Sequence, residues 1–123
     1  MRLIIYVEIH LERNLQFELP SEGLLLLKNS IKNEEVIELD NFSDNEYLNL
    51  IIKSFSSIGN IILVLNQLDE KASLGSTVKL LRSLKSYKGD LRTYAINCKI
   101  PAFYKPMNFK NVEELSKAID DYF

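Results

Sequence analysis

Three side chains in this sequence could take part in acid–base or nucleophilic chemistry, and they are far apart along the chain. His10 is the only histidine, Cys98 is the only cysteine, and Ser73 lies in a polar segment between them. A serine or cysteine nucleophile needs a positioned base, and a metal site needs several ligands at suitable spacing. No spacing here pairs these groups, so a structural role is favoured for His10 and Cys98. A small enzyme that uses Ser73 or Cys98 remains an alternative interpretation.

The loop over residues 70–77 is the strongest candidate for a binding site. It follows the apolar run Ile61–Leu65 and ends in a Gly-Ser-Thr step ahead of a predicted helix. Free N–H groups at a helix start can bind an anion weakly, although such serines more often act as helix caps. The glycine-rich phosphate-binding motifs are missing, so we expect no cofactor, and we expect no metal. The candidate binding residues are Lys71, Ser73, Gly75, Ser76 and Thr77.

The charged residues are distributed unevenly along the chain. Residues 1–70 hold 12 acidic and five basic residues, whereas residues 71–110 hold nine basic residues and one acidic residue. A basic segment of this size can contact an acidic partner, a phosphate or nucleic acid. Lysines on helix and loop surfaces are more often simply solvated, so we favour a solvated surface. We therefore do not expect nucleic acid as the partner.

Length and composition restrict the class of protein. The chain has 123 residues, of which 46% are hydrophobic and 26% are charged, as is typical of one folded domain. No apolar run approaches the roughly 18 residues that a membrane span needs. Residues 1–8 lack the small-residue cleavage site of a signal peptide. We predict a single cytoplasmic domain over residues 1–123 with no membrane contact.

Alternating strand and helix patterns predict an α/β fold. The run Ile61–Leu65 shows no polar alternation, which is typical of a strand buried on both faces of a parallel sheet. Further strands are predicted at residues 2–9, 36–39 and 91–96. We therefore predict a four- to five-stranded, mostly parallel or mixed sheet flanked by helices. Ser21–Ile31 fits a helix or a strand, and a hairpin at residues 12–14 would lead to a short strand over residues 15–19.

Three later helices have clearer sequence signals. Ser43 and Glu46 match a capping box, and the apolar residues that follow, including Tyr47, share one helical face. The second helix begins at Ser73 or Ser76 and ends before Gly89. The third begins at residue 111. These helices follow three of the predicted strands, as parallel pairing requires.

The segment Ala102–Pro106, followed by a helix at Val112, resembles the closing strand, Lys-Pro step and last helix of response-regulator receiver domains. No acidic pair follows the first strand at the position where a receiver needs it. Only about four residues separate Ile96 from Pro101, where a receiver has a helix. This resemblance implies a degenerate receiver-like domain that is not phosphorylated on aspartate.

A broader resemblance covers residues 61–119. Its features are the strand Ile61–Leu65, a loop ending in Ser73-Leu74-Gly75, a helix with Leu80-Leu81, the strand Leu91–Ile96, and Phe109–Leu115 before a final helix. This order resembles the STAS domain of anti-sigma-factor antagonists, so the fold is expected to be STAS-like or flavodoxin-like. In that family the loop reads approximately Asp-Ser-Ser-Gly, and phosphorylation of one serine controls partner binding. The matching positions here are Ala72, Ser73, Leu74 and Gly75.

We expect from these observations a non-enzymatic regulatory domain that binds a protein partner through the loop over residues 70–77 and the neighbouring helix. The resemblance to a divergent STAS domain implies a phosphorylation switch at Ser73. The alternatives are a degenerate receiver-like domain, an immunity-type antagonist that uses the acidic residues of the first half, and a small enzyme.

Overall fold

The computed structural model describes residues 2–11, 22–31 and 36–122. Two short 3-10 turns lie at Phe55–Ser57 and Ala102–Tyr104. The strands and helices are, in chain order, β1 (Arg2–Ile9), α1 (Glu22–Ser30), β2 (Val36–Asp40), α2 (Asn45–Ser54), β3 (Asn60–Gln67), α3 (Thr77–Lys85), β4 (Asp90–Ile96), β5 (Met107–Phe109) and α4 (Val112–Tyr122).

The strands form one sheet in the order β2-β1-β3-β4-β5, and every neighbouring pair is parallel. This is the strand order of flavodoxin-like, doubly wound α/β folds. The predicted layered α/β fold is therefore confirmed. The order reverses at β1, which pairs with β2 on one side and with β3 on the other. The longest ladder joins β1 to β3, from Arg2 opposite Asn60 to Ile9 opposite Gln67.

Each face of the sheet carries its own apolar core. Side chains alternate across a strand, so Ile5 packs with α2 and α3 on one face, whereas Ile4 packs with α1 and α4 on the other. On β3, Leu63 likewise packs on the first face and Val64 on the second. Both faces need apolar residues because both are covered by helices. This double coverage explains why the run Ile61–Leu65 shows no polar alternation.

Several local predictions differ from the structure. The segment that fitted a helix or a strand is the helix Glu22–Ser30, while the predicted hairpin and strand at residues 12–19 lie outside the described residues. The capping box prediction was wrong, because α2 begins at Asn45 with Asp44 at its N-cap. The hydroxyl of Ser43 instead accepts a hydrogen bond from the Asp40 N–H at 2.9 Å. Tyr47 is 46% exposed and does not face the core.

The connection between β4 and β5 contains a short 3-10 turn at the place where a parallel crossover usually has a helix. The Tyr104 hydroxyl donates a hydrogen bond of 2.6 Å to the Leu81 carbonyl and so anchors this turn to α3. Lys105 and Pro106 follow the turn and precede β5. The prediction that residues 102–106 form the closing strand with its Lys-Pro step was therefore wrong.

Candidate functional site

The carboxyl ends of β1, β2 and β3 meet at one edge of the sheet, beside the position where the strand order reverses. In open α/β sheets, ligands and partners usually bind at this position, because the loops after neighbouring strands diverge there. The residues that follow these strands are His10 after β1, Asn41 after β2 and Leu68 after β3. The candidate loop over residues 70–77 continues from β3 at the same edge.

Asn41 connects the three segments that leave this edge. Its side chain is buried, and its Oδ1 atom accepts a hydrogen bond of 2.9 Å from the His10 N–H. Its Nδ2 atom donates to the carbonyls of His10 and Ser73, each at 2.8 Å. One side-chain amide therefore holds the end of β1 against the candidate loop. Because these partners are backbone groups, the connection does not depend on the side chains of His10 or Ser73.

Gly75 brings the candidate loop into contact with the backbone of Asn41. Its φ angle is +52°, a region that glycine adopts without steric cost. A Cβ atom at this position would collide with the Asn41 carbonyl oxygen. The same carbonyl accepts a hydrogen bond of 3.0 Å from the Ser76 N–H. Gly75 is thus required by the close approach of two loops, which is a structural role.

The other four predicted site residues have different environments. Lys71 and Ser73 are exposed, whereas Ser76 is half-buried and Thr77 is buried. Ser76 occupies the N-cap position of α3, but its hydroxyl makes no capping bond. The Thr77 hydroxyl has no hydrogen-bond partner within the described part of the chain. Lys71 and Ser73 are therefore the predicted site residues with the most accessible functional groups.

A series of hydrogen-bonded polar side chains is buried near the same carboxyl edge, on the side of the sheet that α1 covers. The Asn66 amide donates to the Tyr6 hydroxyl at 2.8 Å, and that hydroxyl donates to Glu8 Oε2 at 2.6 Å. The Nε2 atom of His10 lies 3.3 Å from Glu8 Oε1. A Cβ atom at Gly23, in the first turn of α1, would lie 2.5 Å from the Tyr6 hydroxyl oxygen. Because Gly23 has no side chain, α1 can pack directly on these polar side chains.

Sequence reasoning recognised only His10 among these residues. The sequence does contain a signal for this buried polar cluster. Tyr6 and Glu8 are two residues apart on the apolar strand β1 and must therefore share one face. Asn66 likewise interrupts the apolar run of β3 and lies opposite Glu8 in the strand register. A polar residue within an otherwise apolar buried strand usually finds a hydrogen-bonding partner.

The structure does not place His10, the candidate base, in the cavity of the two candidate nucleophiles. Ser73 and Cys98 line one open cavity of about 1050 Å³, and His10 is not among the residues that line it. Burial raises the pKa of the Cys98 thiol, which disfavours the reactive thiolate. Among residues 2–11, 22–31 and 36–122, no group of three or more histidine, cysteine, aspartate or glutamate side chains could hold a metal ion.

Large apolar side chains are exposed within two residues of the end of each of the three strands. Leu11 is 51% exposed, Phe42 is 39% exposed and Leu68 is 54% exposed. The Leu68 N–H donates to the Ile9 carbonyl at 3.0 Å, so Leu68 lies beside the end of β1. Phe42 directly follows Asn41, whose side chain binds the residue that precedes Leu11. We call these three residues the edge patch.

The fold is a parallel α/β domain of flavodoxin-like strand order. At its carboxyl edge, hydrogen bonds of Asn41 join the loops, and large apolar residues are exposed. No protein-family model matches the chain, and comparisons with curated proteins and with solved structures find no match either. Among the described helices, none is long and apolar enough to cross a membrane.

Proposed function

We propose that this chain is a non-enzymatic, cytoplasmic regulatory domain that binds a protein partner through the edge patch and the adjoining loop over residues 70–77. The observation that carries the proposal is the exposure of Leu11, Phe42 and Leu68 at the ends of three adjacent strands. Single exposed apolar residues are ordinary, but a group of them at one functional edge is typical of an interaction site. Charged residues such as Lys71 surround such patches in protein interfaces.

The hydrogen bonds of Asn41 support this proposal because they fix the shape of the surface before a partner arrives. Loops that are ordered in advance lose less conformational entropy on binding, and so more of the contact energy contributes to affinity. The amide of Asn41 holds residues on either side of the patch, at His10 and Ser73. Exposed apolar side chains on loops that are ordered in advance suit a folded protein partner.

Ser73 is the proposed regulatory position, as the resemblance to a divergent STAS domain implies. Its side chain is exposed next to the edge patch, two residues from the exposed Lys71. A phosphate would add a charge of about −1.5 to −2 there, at the border of the surface that contacts the partner. Its main effect would be on partner affinity, because the Ser73 carbonyl, rather than its hydroxyl, makes the contact with Asn41.

An immunity-type antagonist is the second candidate, because carboxylates cluster at the β2 side of the sheet. Glu38 and Asp40 lie on β2, and Asp40 is opposite Glu8 in the register with β1. Burial and then repulsion from Glu8 raise the pKa of Glu38, with a smaller contribution from Asp40. Such a group of acids would favour a basic partner. In this case the acidic β2 side, rather than the edge patch, would form the contact.

The experiment that tests the proposal is site-specific photo-crosslinking in the native cells. A photoreactive residue replaces Leu68 in the edge patch, Leu50 on the outer side of α2, or Glu38 on β2. Leu50 is the matched control, since it is 66% exposed and lies in the middle of α2 rather than at the end of a strand. We expect one discrete adduct from position 68 and none from position 50. Adducts from position 38 alone would support the antagonist, and none from position 68 would contradict the proposal.

The identified partner then allows a quantitative test of the surface and of the switch. We expect Leu68→Asp to weaken binding at least tenfold, and Leu50→Asp to leave the affinity unchanged, on the scale of interface hot spots (about 2 kcal/mol). Phosphorylated protein, with Ser73→Ala as the control, tests the switch separately. Equal affinities of the phosphorylated and unphosphorylated forms would rule out regulation at Ser73 while leaving the binding surface intact.

A further inference from the structure

The amino-terminal half of β4 is an open edge of the sheet. The short strand β5 pairs only with Tyr94–Ile96. On the side away from β3, no described strand lies beside Asp90–Thr93. An edge of this kind offers backbone hydrogen-bonding groups in the spacing that an added strand needs. It lies at the opposite end of β4 from the edge where the proposed function is placed.

A groove of about 510 Å³ follows this open edge. Its lining includes the consecutive residues Leu91–Tyr94, whose side chains alternate between the two faces of the sheet. A groove on one face would include only every second residue, so this one runs along the strand edge itself. Phe103 and Met107 line it further along and are 58% and 40% exposed. The groove therefore combines a strand edge with an apolar border.

The charged residues that line the groove are all basic, although Asp90 lies at the start of the same strand. Lys85, Arg92 and Lys105 line it, and no acidic residue does so among the described residues. The Lys85 Nζ atom lies 5.6 Å from the centre of the Phe103 ring. The chain as a whole has a net charge of −2, so this is a local concentration of positive charge. Complementary charge both attracts a partner and selects its register.

We propose that this groove binds an extended acidic segment of another protein, which adds to the sheet beside residues 91–93 of β4. Strand addition supplies main-chain hydrogen bonds, while alternate side chains of the added segment supply specificity. Apolar side chains of that segment contact Phe103 on one face of the sheet or Met107 on the other, and its acidic side chains give it a negative charge that Lys85 and Lys105 attract. The Thr93 hydroxyl, buried in the groove wall without a partner in the described structure, is a further hydrogen-bonding group there.

Two other occupants are less compatible with the groove. Single-stranded nucleic acid needs successive stacking surfaces, whereas Phe103 is the one largely exposed aromatic ring among the described lining residues. Lysine and arginine on an edge strand also prevent pairing between identical edges. Like charges repel, so these cations disfavour a second copy at this edge. They do not disfavour a strand of opposite charge.

The test uses the full chain and a fluorescent, capped peptide that alternates glutamate and valine. The comparison probes are a peptide with lysine in place of glutamate and a single-stranded thymidine oligonucleotide. We expect saturable binding of the acidic peptide alone, with amide chemical-shift changes confined to Leu91, Thr93 and the facing residues of the groove. Absence of saturable binding, preference for the oligonucleotide, or shift changes located elsewhere would each overturn the proposal.

Lys105→Gly is the decisive variant because it removes one charge without straining the backbone. Lys105 has a φ angle of +48°, which glycine adopts more readily than lysine, so the folded state should not be weakened. We expect this variant and Lys85→Gln each to weaken peptide binding about threefold, as for a partly exposed ion pair. Lys99→Gln is the matched control, since Lys99 is exposed but lies beyond the other end of β4. Equal affinities of Lys105→Gly and the unmodified protein would overturn the proposal.

Discussion

The side chain of Asn41 pairs with the backbone of His10 as a neighbouring strand would. It accepts from the His10 N–H at 2.9 Å and donates to the His10 carbonyl at 2.8 Å. The backbone N–H of Asn41 also donates to the Glu8 carbonyl at 3.2 Å. Pairing between β1 and β2 is thereby extended past the last residue of each strand. The loops of the proposed binding surface start from this fixed point.

Asn41→Ala should lower the free energy of unfolding by about 2–4 kcal/mol, because it leaves several backbone groups of His10 and Ser73 without a partner. Urea unfolding followed by circular dichroism measures this change. Asn108→Ala is the control, since Asn108 is exposed on β5, and we expect a change within about 0.5 kcal/mol. Similar small effects of both substitutions would show that Asn41 does not stabilise the edge.

Gly75→Ala should be more destabilising than the same substitution at Gly59. The left-handed conformation of Gly75 costs alanine about 1–2 kcal/mol, and the new methyl group would also collide with the Asn41 carbonyl. At Gly59 an added Cβ atom meets nothing within 4 Å. We expect Gly59→Ala to be neutral or slightly stabilising. Thermal unfolding of both variants measures the difference, and equal melting temperatures would contradict the described loop contact.

Thr77→Val should raise the free energy of unfolding by about 1 kcal/mol. It replaces a buried hydroxyl, which has no hydrogen-bond partner among the described residues, with a methyl group of similar shape. Thr77→Ser is the control, because it keeps the hydroxyl, removes the methyl group and should lower stability. Chemical denaturation ranks the three proteins. If valine destabilised the fold, the hydroxyl of Thr77 would have to make a hydrogen bond that this structure does not contain.

Glu38→Gln should stabilise the protein at neutral pH and have no effect in acid. Burial and repulsion from Glu8 raise the folded-state pKa of Glu38, so the folded state binds its proton more tightly than the unfolded state. Its contribution to stability is therefore greatest below a glutamate's ordinary pKa of about 4.3 and is lost as the pH rises through the raised pKa. Because the Glu38 side chain is only partly withdrawn from water, the gain should be only a few tenths of a kcal/mol.

Glu46→Gln is the matched control for that pH series. Glu46 is exposed in the first turn of α2, where a negative charge favours the helix. This substitution should lower stability at neutral pH, which is the opposite sign. Stability curves measured for the two variants across the acid range separate these effects. A loss of stability in Glu38→Gln at neutral pH would contradict the direction of the pKa shift.

Cys98 should react slowly with a disulfide reagent at neutral pH while the protein is folded. The thiol is buried and its pKa is raised by burial, so little thiolate is available. Addition of denaturant should restore the rate of a free thiol. Cys98→Ala provides the background rate. Reaction of the folded protein faster than a free thiol would instead favour the enzyme that uses Cys98.

Elements whose signals are local could be predicted well. The predicted strand at residues 2–9 matches β1, and the predicted strand at residues 91–96 differs from β4 by one residue. The capping box failed because Ser43 had two competing partners. Its hydroxyl could cap α2 or bond to Asp40 in the preceding turn, and the structure contains the second arrangement. A local motif cannot decide between two partners that are equally near in sequence.

The candidate site could be predicted only in part. The position of the loop over residues 70–77 followed from the buried strand before it, and the structure places that loop at the carboxyl edge as expected. Asn41 was missed because it lies 31 and 32 residues from the groups that it binds. Leu11, Phe42 and Leu68 come to the same edge of the sheet only when β1 pairs with β2 and β3. Nothing in their separate sequence contexts marks them as one surface.

The sequence by itself determined the layered α/β class, because the periodicity of apolar residues reflects which sides of each strand and helix are buried. It also showed that the chain has one histidine and one cysteine, because the number of such side chains is read directly from the composition. Only the tertiary structure decided the strand order, the connection of three loops through Asn41, the edge patch, and the open edge of β4. These features depend on contacts between distant segments, and such contacts are fixed by how the whole chain packs rather than by any local pattern.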